Sequence, residues 1–587
     1  MKLKRVISIV TAMVMLTLSA CGNTQSSAPE PSAETQVETQ EGEVAQVDEE
    51  MEEVTLDVFM TSPGENPFTS GVQTDAVASY IKEQTGVTLN LIPTDDGKQD
   101  AMAASGDLYD LSLMRMEHVT PLIASGAIAS LDDYLYLAPE FTERFSGMVN
   151  YSRQFLSNDE DNFYAILMRS KTEPAPMANA RYGTFVSWNA YQEIGAPEIK
   201  NADDLLDVMA QIQANNPTTE DGRNTYAFSS FTDWGVNWML SNFILNKNNA
   251  QYALGSGLQS FNIEDFSYLD LYNQEHPFWR AADLYFKANQ LGILDPEAFT
   301  QKWEDYSQKI ASGQVLSASA EWDADPASSR LEDEGIEDKY MDVQWADTPE
   351  VPTWVSRASE FGMTGRLFLV SSKCDEAKLK GIARLLEFVF SEDGARSIML
   401  GPKGDTWDYD DNGVAVFTEE CKAQMAENPN YLIEKGAYRY YTFIGQDYDA
   451  LATTPGNEGK FIDLHLNPEY IMQELTETDK KYCEFYDVDI PLEAATKREN
   501  QSTIYEGSIN LLPAENPTSI NRLSTQVEDY IQQAIPAMVM SGSKEEYDAK
   551  YAEIQEELKS IGYDELTAYY EQAWAEAIAT YHELMAK

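Results

Sequence analysis

The sequence predicts an α/β protein of at least two domains that ends in a helical region. The chain has 587 residues, more than one hydrophobic core usually organises. Strand-like and helix-like segments alternate between residues 54 and 114, which is typical of a mainly parallel sheet. Beyond about residue 516, apolar residues recur at helical spacing, as in the stripe Tyr547, Tyr551, Ile554, Leu558 and Ile561. We interpret that stripe as internal packing.

The first alternating block predicts three strands, at residues 54–60, 88–92 and 111–114. A helix that begins at about Val72 should connect the first two strands. It should end at Gly86, because Gly is the usual residue at a helix end. In parallel sheets, ligands sit beyond the carboxyl ends of the strands. The segments expected at a cleft are therefore residues 60–66, 94–97 and 115–117.

A second α/β block covers roughly residues 180–322. Its clearest helix begins at Asp203, and its apolar residues fall at i, i+3, i+4 and i+7, namely Leu205, Val208, Met209 and Ile212. A strand follows at residues 315–320, and the chain returns to strand near Gly365. Two α/β blocks in one chain predict two lobes.

The N-terminus predicts a signal peptide over residues 1–20. A short basic segment precedes an apolar run that is too short to span a bilayer as an ordinary helix. The run ends in Leu18-Ser19-Ala20-Cys21-Gly22, which resembles a bacterial lipoprotein cleavage site with Cys21 as the acylated, palmitate-bearing residue. The alternative is an ordinary secretory signal with an incidental Cys. We expect a lipid anchor on the extracytoplasmic face of the cell membrane.

Residues 21–53 are rich in Ser, Pro, Gln and Glu, and contain no Lys or Arg. Such a segment buries too little apolar surface to offset chain entropy, so it predicts a disordered acidic linker behind the anchor. The folded body should begin near Val54.

Composition excludes several classes of function. The formal charge is −57, from 41 Lys and Arg against 98 Asp and Glu, so nucleic acid is not an expected partner. The lack of a basic cluster also argues against strongly anionic ligands. The sequence has no HExxH, GxSxG or P-loop motif, and we expect no enzyme activity. A secreted carbohydrate-active enzyme or an adhesin lipoprotein is the alternative, since so many acidic residues make carboxylate pairs inevitable.

Several ordered segments together resemble a known family. They are residues 80–87 (YIKEQTGV), 104–111 (ASGDLYDL), 125–128 with 131–135, 292–297 (GILDPE), 386–394 (LEFVFSEDG) and 401–407 (GPKGDTW). Behind a lipoprotein signal, this order resembles the extracellular solute-binding lipoproteins of ABC transporters, of the carbohydrate type (family 1) and similar to its alginate-binding branch. The resemblance is loosest over residues 413–516.

The resemblance implies a two-lobe, periplasmic-binding-protein-like (type II) α/β fold with a helical C-terminal region. We place lobe 1 at residues 54–170 plus 360–412, lobe 2 at 171–359, and a mostly helical region that braces both at 413–587. The implied function is capture of a solute, an oligosaccharide in the leading interpretation, and its delivery to an ABC transporter permease. We expect a monomer without a required cofactor.

Sugar sites pair stacked aromatic rings with polar side chains, because sugars present apolar C–H faces and rings of hydroxyls. The aromatic candidates are Trp322, Trp407 and Trp234. The polar candidates are Glu65, Asn66, Asp95, Asp323 and Arg357.

One segment formally fits a calcium loop of the EF-hand type, with Asp408, Asp410, Asn412 and Glu419 as oxygen ligands and Gly413 at the sharp turn. No helix is predicted before it, so a β-hairpin turn is the favoured interpretation, with Ca²⁺ as a weaker one. The alginate-binding branch carries a calcium loop in lobe 2, but the corresponding residues 215–224 lack its alternating carboxylates.

Overall fold

The computed structural model describes residues 51–63, 66–94, 96–171, 182–233, 235, 240, 252–254, 258, 260–262, 268–346, 355–358, 361–362, 367–447, 449–496, 503–506 and 516–585. The predicted signal peptide, Cys21 and most of the predicted linker lie outside the described residues.

Sixteen strands are described: β1 Val54–Met60, β2 Gly71–Val72, β3 Val87–Pro93, β4 Leu111–Met114, β5 Ala165–Leu167, β6 Tyr182–Ser187, β7 Tyr252–Leu254, β8 Ser260–Asn262, β9 Tyr268–Leu269, β10 Ser317–Ala320, β11 Tyr340–Asp342, β12 Val355–Ala358, β13 Leu367–Val370, β14 Trp407–Tyr409, β15 Ala415–Phe417 and β16 Thr503–Glu506.

The described α-helices are α1 Ala76–Thr85, α2 Asp96–Ser105, α3 Val119–Ala124, α4 Pro139–Arg144, α5 Ser146–Phe155, α6 Trp188–Glu193, α7 Ala202–Asn215, α8 Pro277–Leu291, α9 Trp303–Ala311, α10 Glu321–Asp333, α11 Glu376–Phe390, α12 Glu392–Leu400, α13 Glu419–Glu427, α14 Tyr431–Lys435, α15 Pro468–Glu474, α16 Glu477–Tyr486, α17 Pro491–Thr496, α18 Thr518–Val539, α19 Lys544–Ile561 and α20 Tyr563–Met585. Short 3₁₀ turns lie at Met116–His118, Asp132–Leu137, Tyr441–Phe443 and Leu464–Leu466.

The largest sheet has six strands in the order β2-β3-β1-β4-β13-β5. The three predicted strands β1, β3 and β4 are present and pair in parallel, with Val54 opposite Val87 and Val58 opposite Leu111. The sheet is mixed rather than mainly parallel, because β13 enters antiparallel to both β4 and β5. That strand arrives from a distant part of the chain, which local spacing does not reveal.

Helix α1 connects β1 to β3 as predicted, but it begins at Ala76 rather than near Val72. The Asp75 carboxylate accepts a hydrogen bond from the Ala78 N–H at 3.0 Å and fixes the helix start, while Val72 lies in β2. Gly86 ends the helix at φ 74°, a left-handed conformation that glycine adopts at little cost.

The second sheet is antiparallel and has the order β10-β6-β11. Helix α7 packs against α6 and α8, and its predicted stripe is buried, namely Leu205, Val208, Met209 and Ile212. Two smaller ladders, β7-β8-β9 and the parallel pair β12-β16, complete this part of the described chain.

The chain leaves the large sheet after β5, builds the second sheet, and returns to the large sheet at β13. Two connections, residues 168–181 and 343–366, therefore join the two sheets. Residues Met51–Lys587 form one compact unit, and the lobe boundaries stay a prediction.

The C-terminal region is mostly helical, as predicted. Helix α19 packs its stripe inward, with Tyr547, Ile554 and Leu558 buried. Tyr547 lies 4.5 Å from the Phe286 ring and Tyr551 lies 5.0 Å from the Trp279 ring, so the stripe packs on α8. This confirms internal packing as its role.

Among the described residues, no helix combines the length and the apolar character that crossing a membrane requires.

Candidate functional site

Four aromatic side chains pack together beside the second sheet, and we call them the aromatic cluster: Phe231, Trp303, Tyr306 and Trp322. The Trp303 ring centroid lies 5.4 Å from that of Trp322 and 5.6 Å from that of Tyr306. Phe231 lies 5.1 Å from Trp303 and 5.2 Å from Tyr306. Phe231 and Tyr306 are buried, whereas Trp303 and Trp322 are half-buried. The two buried rings thus pack on Trp303, Trp303 packs on Trp322, and both indoles keep exposed surface.

Three chain segments bring the aromatic cluster together. Strand β10 runs directly into α10, so Trp322 projects from the first turn of that helix. Trp303 is the first residue of α9, and its N–H donates to the Asp233 carboxylate at 3.0 Å. This bond ties the chain at residues 229–233 to the start of α9. The indoles therefore stand on regular elements rather than on loops alone.

Asp323 follows Trp322 and is buried. Its Oδ2 accepts hydrogen bonds from the Tyr306 hydroxyl at 2.8 Å and from the Ser319 N–H at 3.3 Å. Its Oδ1 has no hydrogen-bond partner within the described part of the chain. Burial raises the pKa of Asp323 to about 6, although both hydrogen bonds act in the opposite direction.

A buried polar network holds the neighbouring loop. The Gln301 amide donates to the Ser229 hydroxyl at 2.7 Å and to the Ser230 carbonyl at 2.6 Å. Ser229 donates to Asp295 at 2.7 Å, and Lys309 pairs with the same carboxylate at 2.7 Å. These bonds fix the position of Phe231 beneath the two indoles.

The carboxyl edge of the large sheet is different. Four residues there, which we call the polar cluster, bind one another: Asn66, Asp75, Arg439 and Tyr440. The side-chain amide oxygen of Asn66 accepts a hydrogen bond from Arg439 at 2.8 Å. The Asp75 carboxylate accepts from Arg439 at 2.9 Å and from the Tyr440 hydroxyl at 2.5 Å. Burial and the neighbouring Asp75 raise the pKa of Tyr440. The segment 431–449 therefore packs on the end of β1.

A buried ion pair lies where the chain leaves β5. The Arg169 guanidinium donates to both carboxylate oxygens of Asp447, at 2.9 and 3.2 Å, and to the Tyr441 hydroxyl at 2.5 Å. Lys171 pairs with Asp449 at 2.7 Å. This connection between the sheets is thus anchored to the segment 431–449.

The predicted site residues separate into three groups. Trp322 and Asp323 are brought together at the aromatic cluster. Glu65, Asp95 and Trp234 lie outside the described residues. Arg357 lies on β12, and its side chain is outside the described part of the structure.

Asn66 and Trp407 have partners inside the protein. The Asn66 amide donates to the carbonyls of Ile433 at 2.7 Å and Ala437 at 2.8 Å. Trp407 is fully buried, donates from Nε1 to the Gly401 carbonyl at 3.1 Å, and packs under the Arg396 guanidinium at 4.9 Å. Their role in solute contact stays a prediction.

Sequence reasoning missed Trp303 and Tyr306. A signal was present, because two aromatic residues at i and i+3 share one helix face, but such pairs are commonplace in cores. The sequence does not show that α9 and α10 lie side by side, because this depends on the path that β10 takes between them.

The proposed calcium loop forms a β-hairpin, which confirms the favoured interpretation. Strands β14 and β15 pair antiparallel, with Trp407 opposite Phe417, and Gly413 takes φ 79° in the turn. The Asp410 carboxylate accepts from the N–H groups of Asn412 at 2.8 Å and Val414 at 2.9 Å. Asp408 accepts from the N–H of Tyr409, and Glu419 pairs with Lys422 at 2.8 Å. Two of these carboxylates thus bond to backbone N–H groups and the third to a lysine.

The described residues contain no group of three or more His, Cys, Asp or Glu side chains placed to hold a metal ion. Cys374, Cys421 and Cys483 are buried, and none of these three forms a disulfide bond. Burial raises the pKa of Cys374 to about 12, and that of Cys421 and Cys483 to about 11. All three are therefore protonated at neutral pH and serve as packing residues.

No family model matches the sequence, and no curated protein matches it. Solved structures match in fold. An HMO-binding, ABC-transporter-associated solute-binding protein from Bifidobacterium longum infantis gives a TM-score of 0.60 at 14% identity, over 89% of this chain and 98% of that chain. The S. pneumoniae substrate-binding protein FusA, in complex with kestose, gives 0.58 at 14% identity, over 90% and 100%. The alginate-binding protein AlgQ2, without calcium ion, gives 0.51 at 18% identity, over 89% and 98%.

These structural likenesses span nearly the whole of each neighbour and about nine-tenths of this chain. The resemblance inferred from the ordered sequence motifs is confirmed at the level of fold. The chain has the α/β, periplasmic-binding-protein-like fold of ABC-transporter solute-binding proteins, with a helical C-terminal region.

Proposed function

We propose that this protein captures an oligosaccharide outside the cytoplasmic membrane and delivers it to an ABC transporter permease. One observation carries the proposal. Two half-buried indoles, Trp303 and Trp322, lie side by side at 5.4 Å beside a buried carboxylate, in a fold whose structural neighbours are named for binding HMO and kestose.

The arrangement suits a sugar. The apolar C–H face of a pyranose packs on an indole, and its equatorial hydroxyls need acceptors and donors at the ring edge. The Trp303 and Trp322 rings are inclined at 49°, so they offer two differently oriented faces to successive sugar units. The buried bonds of Tyr306 and Asp323 fix both rings before a solute arrives, which reduces the entropy lost on binding.

Capture should close the molecule around the solute. A ligand shifts an equilibrium between open and closed forms only by its difference in affinity for the two, so contacts from both sheet regions are required. We expect such a rotation to bend the chain where it passes from one sheet to the other. We therefore propose a binding role without chemical change, and the neighbours are binding proteins rather than enzymes.

The lipid anchor is part of the same proposal. Acylation at Cys21 and the acidic linker at residues 21–53 would hold the folded body at the membrane while leaving it free to reach the permease. Metabolic labelling with a palmitate analogue should mark the wild type and leave Cys21→Ala unlabelled. Equal labelling of both chains would contradict this assignment.

The central experiment uses the folded chain without its signal peptide. A thermal-shift screen across oligosaccharides should give a rise in Tm with at least one of them, and chromatography should recover that sugar unshortened. Shortened products would indicate an enzyme instead. A screen in which peptides raise Tm and sugars do not would overturn the solute class.

The variant that tests the site is Trp322→Ala. Removal of one stacking face should lower the affinity for the solute identified by the screen by about tenfold, which corresponds to about 1.4 kcal/mol. The matched control is Tyr136→Ala, which removes an exposed aromatic ring from the 3₁₀ turn at Asp132–Leu137. Unchanged affinity in Trp322→Ala would remove this residue from the site.

A further inference from the structure

The charged side chains around the aromatic cluster bear on which saccharides the proposed site can bind. This inference rests on the proposed function. The three segments that build the cluster are residues 229–233, 301–306 and 317–325. They contain one cation, Lys302, and the carboxylates Asp233, Glu304, Asp305, Glu321, Asp323 and Asp325. The imbalance continues the excess of 98 acidic over 41 basic residues in the whole chain.

Three of these carboxylates are not neutralised by a described ion pair. Asp233, Glu304 and Asp305 are exposed, and no ion pair to Lys or Arg occurs for them within the described ranges. Lys309, one helical turn beyond Tyr306, is already paired with Asp295 at 2.7 Å and Glu297 at 2.6 Å. The local field is therefore negative.

Asp323 adds a buried carboxylate to this field. It is 1% exposed, its described hydrogen-bond donors belong to the uncharged residues Tyr306 and Ser319, and its Oδ1 has no described partner. A buried charge is screened by salt much less than an exposed one. Asp323 is joined to the cluster through Tyr306, whose hydroxyl donates to it at 2.8 Å and whose ring centroid lies 5.6 Å from that of Trp303.

An anionic sugar has a further cost. Its carboxylate loses water on entering the site and needs an Arg or Lys to replace that hydration. A neutral sugar needs only hydrogen-bond acceptors, which carboxylates supply well. The same groups therefore favour one solute class and repel the other.

We propose that the aromatic cluster selects uncharged oligosaccharides and discriminates against oligouronates and other anionic saccharides. The solute therefore differs in charge from alginate, a polyuronate, although the alginate-binding protein AlgQ2 shares the fold.

The test compares neutral and anionic saccharides of matched length by titration calorimetry. The neutral probes are malto-, cello-, manno- and fructo-oligosaccharides, and the anionic probes are oligogalacturonates and oligomannuronates. At low salt, one neutral probe should bind at least about tenfold more tightly than any oligouronate, and NaCl should narrow this ratio by screening the repulsion.

Two charge-removing variants locate the effect. The exposed pair Glu304→Gln/Asp305→Asn and the buried Asp323→Asn should each raise oligouronate affinity, relative to the neutral probe, by about threefold or more. The surface pair keeps the test valid if Asp323→Asn fails to fold, which circular dichroism reports. The matched control is Glu420→Gln/Glu427→Gln on α13, which removes the same charge from another exposed helix and should leave the ratio unchanged.

The outcomes are distinguishable. Oligouronates that bind as tightly as neutral probes would overturn this inference and leave the proposed function intact. An equal change of the ratio in the control would overturn the local origin of the selectivity. The absence of binding by every saccharide of either charge would contradict the proposed function, and this inference with it.

Discussion

The aromatic cluster and the polar cluster lie in different sheet regions and use their side chains in opposite ways. In the polar cluster, Asp75 and Asn66 are bonded to groups of their own protein. In the aromatic cluster, two indoles keep exposed surface and one carboxylate oxygen of Asp323 has no described partner. The difference teaches that residue type alone does not mark a binding site, because both clusters contain the aromatic and acidic residues that sugars prefer. What distinguishes them is exposure, because the two indoles are half-buried whereas Asn66 and the Tyr440 ring are buried.

The largest expected effect comes from breaking the polar cluster with Asp75→Ala. This change removes the α1 cap and leaves the Tyr440 hydroxyl and Nη1 of Arg439 without their acceptor, while Nη2 of Arg439 keeps Asn66. The free energy of unfolding should fall by about 3–4 kcal/mol, the sum of a lost cap and buried donors left unpaired. Urea denaturation of the folded chain measures it.

Asp75→Asn is the control for that change, because it retains an oxygen that can cap α1 or accept from Tyr440. It should cost clearly less than the alanine variant. A loss of solute affinity in Asp75→Asn with unchanged stability would break the comparison, since it would place the polar cluster in the binding site.

The next effect concerns Asp323 and pH. Because burial raises its pKa in the folded state to about 6, its contribution to stability is fully present below the unfolded pKa of about 4 and is lost as pH rises through about 6. Asp323→Asn keeps an acceptor for Tyr306 and removes the buried charge. Relative to wild type, the variant should therefore gain about 1–3 kcal/mol of stability between pH 4 and pH 8.

Denaturation curves at both pH values measure this difference, and Asp133→Asn, an exposed position, is the matched control for removal of one carboxylate. If the stability difference between Asp323→Asn and wild type is the same at pH 4 and pH 8, burial does not raise the pKa of Asp323.

A smaller effect sharpens the aromatic side of the comparison. Trp303→Ala should lower the affinity for the solute by about tenfold through the loss of one stacking face, the same effect that is expected for Trp322→Ala. The double variant should lose less than the sum of the two, because each indole packs against the other at 5.4 Å and supports it. Strict additivity, measured in a double-mutant cycle by calorimetry, would show that the two rings act independently.

The smallest effect concerns calcium. The Asp410 carboxylate already accepts two backbone N–H groups and Glu419 pairs with Lys422, so addition of CaCl₂ or EDTA should leave Tm unchanged within about 1 °C. A rise in Tm with Ca²⁺ that Asp410→Ala abolishes would assign a calcium site to the hairpin after all.

Local features were predictable from the sequence. The parallel strands β1, β3 and β4, the end of α1 at Gly86 and the buried stripe of α7 each follow from periodicity or from glycine at a helix end. The hairpin β14-β15 followed from its turn residues. Each strand, helix end, stripe and turn depends on neighbours within about a dozen residues, and the parallel pairing follows from the helices that connect the strands.

Long-range contacts were not predictable. Asn66 meets Arg439 across more than three hundred residues. Trp303 meets Trp322 only after β10 has placed α9 beside α10. Candidate site residues chosen by type and loop position therefore divide between interior and surface once the chain folds.

Residues in the final third of the chain form hydrogen bonds to both sheet regions. Segment 431–449 binds the end of β1 and the exit of β5, through Thr442 to the Thr61 carbonyl at 2.9 Å and Asp447 to Arg169. Further on, Tyr482 donates to the Asp342 carbonyl of β11 at 2.6 Å, and Tyr563 accepts from the Leu271 N–H at 2.9 Å. Two separately expressed fragments, divided within residues 172–181, should therefore reassemble, since the C-terminal fragment carries docking surfaces for the N-terminal one.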